Sequence, residues 1–239
     1  MLASLGFQAL ATTSSGFAAS LGRLDGSVTR DEALSHATAI TLATGLPVSA
    51  DFENGFGATA AEVGETVRLA VAGGIAGCSV EDSTGRADSP IFEMAEAVER
   101  VMAAAEAAHA GPDRLVLTAR AENYLHKRKD LADTVARLQA FEAAGADVVY
   151  APGLVDLAEI RTVVESVGVP VNVLARPNGP AVAELAAAGV HRISVGGAFA
   201  FAALGALVEA AAELLAEGTY GFFDQSAVGA AAAREAFGS

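Results

Sequence analysis

The 239-residue chain has a single cysteine, Cys78, and only two lysines, Lys127 and Lys129. One thiol cannot form an intrachain disulfide, so the core has to hold the fold, and a reducing cytoplasm is the expected setting. Two lysines confined to one polar loop exclude a Schiff-base lysine inside a barrel. Positive charge is scarce as well: 15 Lys and Arg face 29 Asp and Glu, and the formal net charge of -14 excludes a nucleic-acid-binding surface. No basic stretch precedes an apolar core at the N-terminus, so no signal peptide is expected. The most apolar long stretch, 197–216, is interrupted by Glu209 and Glu213 and reads as a buried or interface helix, not a membrane span. His36, His109, His126 and His191 lack metal-ligand spacing. His126 is the one expected near a strand end, as a loop residue or a proton shuttle.

Apolar runs alternate with amphipathic segments along the rest of the chain. Strands are expected at 7–13, 47–51, 77–82, 115–121, 147–151, 169–174 and 192–195. Helices are expected at 31–44, with Thr29 as N-cap, and at 59–72, 92–109, 130–144, 156–166, 180–188 and 199–216. This order predicts a parallel sheet covered by helices. Seven strand–helix units leave a (β/α)8 TIM barrel one unit short, so the first N-terminal βα segment is expected to be missing; a doubly wound sheet is the rival. Residues 1–239 read as one α/β barrel domain, with 218–239 as a C-terminal tail used in oligomer contacts. The stretch after Gly221 is the weakest in order.

In a barrel, chemistry collects where strands end. Asp51 and Glu53 stand at i and i+2 of an extended run and converge on one side. With Glu81 they form an acidic quadrant suited to one Mg²⁺ or Mn²⁺ that keeps several waters; an ordinary solvated turn is the alternative. Arg120 ends a very apolar strand, and its fork suits a carboxylate or phosphoryl group, unless it only neutralises those acids. Glu122 and Asn123 follow on the same rim, and Asn172 lies on a later strand. Thr13, Ser14 and Ser15 could offer hydroxyls and backbone N–H groups to an anion, or form a plain turn. Asp25 is by itself a loop aspartate. Gly196 and Gly197 precede the last long helix, where a phosphate could bind, as in a phosphate-binding barrel isomerase, or where they could equally serve close packing. Cys78 begins its strand and reads as core.

The motifs Asp51-Phe52-Glu53-Asn54-Gly55-Phe56-Gly57, Gly77-Cys78-Ser79-Val80-Glu81-Asp82 and Thr118-Ala119-Arg120-Ala121-Glu122-Asn123 resemble the isocitrate lyase/phosphoenolpyruvate mutase superfamily. So do Ala144-Gly145-Ala146-Asp147, Pro170-Val171-Asn172-Val173-Leu174 and Arg192-Ile193-Ser194-Val195-Gly196-Gly197. The resemblance covers nearly the whole chain. It implies a barrel enzyme that binds Mg²⁺, mainly through water, at Asp51, Glu53 and Glu81. It implies that Thr13, Ser14, Ser15, Arg120, Glu122, Asn123 and Asn172 hold a small α-keto acid. It makes Asp25 an active-site member and Arg120 the residue facing the enolate. It further implies a homo-oligomer, a dimer or a tetramer built from dimers that exchange a C-terminal helix.

Two departures bear on the reaction. Glu53 stands where the family often has Asp. The stretch 83–90 has no Cys, Lys or His, whereas the lyase members carry a loop whose cysteine acts as acid and base. The chain therefore resembles the phosphonomutase-like branch, with its phosphonopyruvate hydrolases and oxaloacetate-cleaving enzymes. The function implied is Mg-dependent cleavage or rearrangement of a C–C or P–C bond through an enolate. A non-catalytic α-keto-acid binder of the same fold is the alternative.

Overall fold

Alternation along each strand decides which side chains meet the helices and which meet the inside of the sheet. The computed structural model describes residues 1–238. Its strands are β1 (Leu10–Ala11), β2 (Val48–Asp51), β3 (Gly77–Glu81), β4 (Val116–Arg120), β5 (Val148–Tyr150), β6 (Val171–Leu174) and β7 (Arg192–Ser194). They pair in chain order, all parallel, into a single curled sheet of seven. The sheet is α/β and one strand short of a closed barrel, as the element count predicts; β1 and β7 are its two edges.

Between strands run α1 (Ser14–Ser20), α2 (Arg30–Thr44), α3 (Ala60–Ala72), α4 (Met94–His109), α5 (Leu131–Ala143), α6 (Leu157–Ser166) and α7 (Val182–Ala187), with α8 (Ala198–Ala216) and α9 (Phe223–Phe237) closing the chain. Polar residues start the helices where the sequence places them. Thr29 and Thr59 each accept from the backbone three residues on, and Glu32 and Glu62 return the bond as capping boxes. Asp130 and Asp156 cap α5 and α6.

The core lies between the sheet and the helices. Val48 and Ala50, Cys78 and Val80, Leu117 and Ala119, Val149, and Val171 and Val173 form its sheet side and are all buried. Phe52, Val63, Val67, Leu138, Phe141 and Ile160 fill it from the loops and helices. Cys78 is part of this packing, and burial pushes its thiol pKa up, so it is inert core.

Most of the alternate positions are polar: Ser49, Asp51, Ser79, Glu81, Thr118, Arg120, Tyr150, Asn172, Arg192 and Ser194, with Val116, Val148 and Leu174 on the same face. Two bonds show that they share one interior. Arg120 on β4 reaches Asp51 on β2 at 3.2 Å, and Arg192 on β7 reaches Thr118 on β4 at 2.5 Å. Neither bond joins neighbouring strands.

Between β7 and β1 the seam is covered by helix starts. A Cβ on Gly197 would meet the Ser15 hydroxyl at 2.8 Å, and one on Gly16 would meet Ala200 at 3.1 Å. Phe7 packs edge-on against Phe199 with ring centres 6.4 Å apart.

Three expectations need correction. The first strand is two residues long, although Leu10 and Thr12 both bond to the β2 segment on either side of it. Thr13 to Gly16 is no plain turn: Ser14 already lies in α1, with Thr13 in the extended N-cap position. The tail is also ordered into a helix, for which its alanine run 230–233 is well suited.

The loop after β2 depends on a tight glycine. Gly55 has φ +87°, and a Cβ there would lie 2.6 Å from Val63. Gly55→Ala is expected to lower the unfolding free energy by about 2–4 kcal/mol, combining left-handed strain with overpacking. Gly26→Ala, at φ +75° with open space around it, should cost only the backbone share, about 1–2 kcal/mol. Urea denaturation of both variants checks this; equal losses would show that the Val63 contact is immaterial.

Candidate active site

The strand ends of β2, β3 and β4 deliver Asp51, Glu81 and Arg120 to one place. Arg120 is shared among three carboxylates: Asp51 at 3.2 Å, Glu81 at 2.9 Å and Glu122 at 2.9 Å. Its guanidinium also lies 5.3 Å from the ring centre of Tyr150. Burial alone would lower the Arg120 pKa, but Glu81, Glu122 and Asp51 hold it above its ordinary value. The acids respond in the opposite direction. Burial raises the pKa of Glu81 and of Glu122, against the pull of Arg120, and neighbouring carboxylates add to the rise.

Glu53 stands just beyond β2 with φ +48°, a left-handed conformation unusual for a residue with a side chain. Its carbonyl accepts from the Glu81 N–H at 2.9 Å, which ties the two strand ends together. Its Oε1 is buried without a hydrogen-bond partner. Burial, then Asp51, then Asp25, push its pKa up to about 7. Asp25 itself is exposed in the loop between α1 and α2, close enough for its charge to be felt at Glu53.

The N-terminal hydroxyl group meets the same acids. The Ser14 N–H donates to Asp51 at 3.1 Å, and the Thr13 and Ser15 hydroxyls are 3.1 Å apart. Thr12, Thr13, Ser14, Asp51 and Glu53, together with Phe17, Val28, Ala33, His36 and Phe56, line an open cleft of ≈ 230 Å³. His36 stacks on Phe17 at 3.9 Å, and burial lowers its pKa, favouring the neutral ring.

Two residues expected at the rim have other partners. Asn123 is fully buried and donates to Asp133 of α5 at 2.6 Å. Asn172 is buried in the sheet interior, donating to Ser194 at 3.1 Å and accepting from Arg192 at 3.1 Å. His126 does reach the rim, with its Nε2 3.5 Å from the Ser83 hydroxyl at the root of the 83–90 loop.

A buried frame fixes these ends. Asp82 accepts from the Glu122 N–H at 2.8 Å and from Arg137 at 3.0 Å, and Arg137 also binds Asp133 and the Phe92 carbonyl. Arg100 donates to the carbonyls of Asn54 and Gly57, holding the loop that carries Glu53. Sequence reading missed Ser79, whose hydroxyl donates to Asp51 at 3.3 Å, and Thr12, whose hydroxyl accepts from the Asp51 N–H at 2.9 Å. The alternation of strand residues could have found Ser79, two before Glu81. Arg137, Arg100 and His36 lie on helices and leave no such signal.

Among the described residues, no three His, Cys, Asp or Glu side chains converge for direct ligation of one ion. The donor set still fits a hard divalent cation that keeps its own water. All the donors are carboxylate oxygens, one of them is orphaned, and several acids share a single guanidinium.

A parallel α/β barrel with carboxylates and an arginine on its strand-end rim is the layout of a barrel enzyme. The family model for phosphoenolpyruvate phosphomutase matches residues 1–215, and the chain belongs to that family. A 2-methylisocitrate lyase from Escherichia coli (strain K12) is 34% identical over 174 residues, covering 70% of this chain and 57% of the relative. The chain thus spans little more than half the length of that relative. A crystal structure of a protein from Burkholderia cenocepacia J2315, assigned but not established as a lyase/mutase, superposes with TM-score 0.90 at 54% identity, covering 93% of this chain and 81% of the other. A phosphonopyruvate hydrolase solved with oxalate and Mg²⁺ superposes with TM-score 0.80 at 28% identity, covering 91% and 78%.

The state of Glu53 has a measurable consequence. Between its ordinary pKa of 4.5 and its folded value of about 7, the folded chain holds a proton that the unfolded chain releases. Its contribution is therefore present below pH 4.5 and fades as pH rises toward 7. In EDTA, unfolding free energy should decline across this window, and Glu53→Gln should make the decline shallower. An unchanged slope in urea titrations between pH 4.5 and 7.5 would assign the decline to other acids.

Proposed function

We propose that the chain is a divalent-metal-dependent enzyme that cleaves or rearranges a C–C or P–C bond of a small α-keto acid through an enolate. The observation that carries this is Arg120 held among Asp51, Glu81 and Glu122 beside the unpartnered oxygen of Glu53. Asp51, Glu53 and Glu81 would hold Mg²⁺ or Mn²⁺ through its waters. When bound, the ion supplies Lewis-acid stabilisation of the charge that develops on the keto oxygen.

The chain's own residues do the rest. The reacting bond breaks with its electron pair left on the carbon next to the carbonyl, and Arg120 offsets the charge that spreads to oxygen. Fixed donors of this kind are worth about 3–4 kcal/mol in the transition state. Glu122 keeps the guanidinium in place from just beyond the end of β4, with Asp82 fixing the Glu122 backbone. Thr13 and Ser14 line the cleft beside Asp51, with the Ser15 hydroxyl against that of Thr13, and the three would orient the substrate carboxylate. Asp25, on the loop facing Glu53, is the group we assign to proton or group transfer. Asn123 and Asn172 would support the site through Asp133 and Ser194.

The oligomer is part of the same proposal. α8 is predominantly apolar, broken by Glu209 and Glu213, with mean hydropathy 1.8, yet none of it is buried in the single chain. Phe199, Phe201, Leu207, Val208 and Leu215 are all exposed. It is long and apolar enough to cross a membrane by composition alone. We assign it, with the tail 218–239, to contacts between copies of the chain, in a soluble cytoplasmic enzyme.

A second reading keeps the pocket without turnover, and the 83–90 loop without Cys, Lys or His favours it. Oxalate is the first test. It should bind by calorimetry with Mg²⁺ and lose that binding in EDTA or in Asp51→Ala; equal binding with and without EDTA counts against the metal role. Turnover of oxaloacetate or phosphonopyruvate, abolished by Asp51→Ala, excludes the non-catalytic reading. Light scattering should give the mass of a dimer or tetramer, and Leu207→Glu should shift it toward the monomer. A monomeric wild-type chain would remove the role given to α8.

A further inference from the structure

The formal net charge of -14 sets a field that repels a small anion approaching from solution. The chain's two lysines nevertheless share one loop, between the end of β4 and the start of α5, in the run His126-Lys127-Arg128-Lys129. Lys127, Arg128 and Lys129 are exposed, and among the described residues none has a carboxylate within ion-pair distance.

The loop is fixed at the same end of the sheet as the acidic rim. At its root Glu122 binds Arg120 at 2.9 Å, and Asn123, fully buried, donates to Asp133 at 2.6 Å. The Arg128 N–H returns to the Asn123 carbonyl at 2.8 Å, and the N–H groups of His126 and Lys127 donate to the carbonyls of Glu122 and Tyr124. Lys127 turns there with φ +62°. The His126 ring lies 3.5 Å from the Ser83 hydroxyl, just past the end of β3 that carries Glu81.

Nearby acids do not cancel this run. Asp82 and Asp133 are both bound to Arg137. Arg128 is close enough for its charge to be felt at Asp133, which leaves Lys127 and Lys129 as the uncompensated pair. From Lys127 to Asp130 three cations face one carboxylate, and Asp130 caps α5 by accepting from the Asp133 N–H. In the adjoining 83–90 loop Arg86 and Asp88 are both exposed and of opposite sign, so that loop adds no net charge. Coulomb energy falls with distance and salt cuts the distant charges most, so a few cations at the entrance prevail locally over a dispersed negative excess.

We propose that Lys127 and Lys129 form a local positive field at the strand-end rim that draws an anionic ligand toward Arg120, against the negative charge of the chain as a whole. This rests on the keto-acid reading given above. The two lysines act at a distance, and the backbone bonds from Asn123 to Arg128 hold them where that field is useful.

The direction of the salt effect tests this. From roughly 10 to 150 mM NaCl the screening length drops from about 30 Å to about 8 Å. Calorimetry on the full chain at saturating Mg²⁺ should show oxalate affinity falling roughly fivefold across that range, and pyruvate, with one charge fewer, falling by about half as much on a logarithmic scale. Lys127→Gln/Lys129→Gln should match the wild type at high salt and lose the fall, or reverse it, because only the overall negative charge remains. Arg114→Gln/Arg161→Gln removes the same charge from the opposite end of the strands and from α6, and should keep the wild-type response. Thermal melting reports whether each variant folds; if the double lysine variant does not, Lys129→Glu, away from the left-handed position, should remove most of the response. Equal weakening at both salts in the lysine variant, or a response lost in the arginine control as well, overturns the assignment. Wild-type oxalate affinity that is flat or rises with salt sinks the role of the lysines and leaves the keto-acid reading intact. Oxalate that binds at neither salt sinks that reading, and this proposal with it.

Discussion

One guanidinium joins the ends of the sheet. Arg120 holds Asp51 of β2 and Glu81 of β3, and Glu122 just beyond its own strand, within hydrogen-bonding distance. Removing one partner from a buried ion pair typically costs about 3–5 kcal/mol, because the other charge is left unpaired. Here the imbalance runs the other way in the intact chain, with one cation among several acids. Burial, reinforced by that surplus, keeps Glu81 and Glu122 above their usual pKa values, and the surplus makes the rim a strong acceptor of further positive charge. The buried frame around Asp82, Arg137 and Arg100 keeps the acids from moving apart in response.

The sheet interior differs from a barrel packed with branched apolar residues. Ser, Thr, Asn, Tyr and Arg side chains occupy it and bond to one another across strands. Such a network is worth most when every member is satisfied. The apolar core is displaced to the outer face of the sheet, where alanine-rich helices lie close against it. Stability and chemistry are thereby assigned to opposite faces of the same strands.

Much of this was legible in the sequence because it follows a period of two. Asp51, Glu81 and Arg120 end apolar strands, and strand ends could be located from the runs before them. The missing unit of the barrel could be counted. What could not be read were partners set by long-range closure. Asn123 and Asn172 look like rim residues in sequence but are claimed by Asp133 and by Arg192. Ser14 and Ser15 resemble a turn because serine is common in turns, yet the chain winds into α1 there. His36 carries no motif at all; only the approach of α2 to α1 brings it beside Phe17 and the acidic cleft.

The open seam bears on how the chain avoids self-association through its backbone. An uncovered sheet edge is a template on which other chains can add strands, the first step toward insoluble fibres. Here the two free edges are two and three residues long. The starts of α1 and α8 meet across the gap, where Gly16 and Gly197 allow the close approach. A sheet left unclosed is thus given margins too short to recruit a stranger.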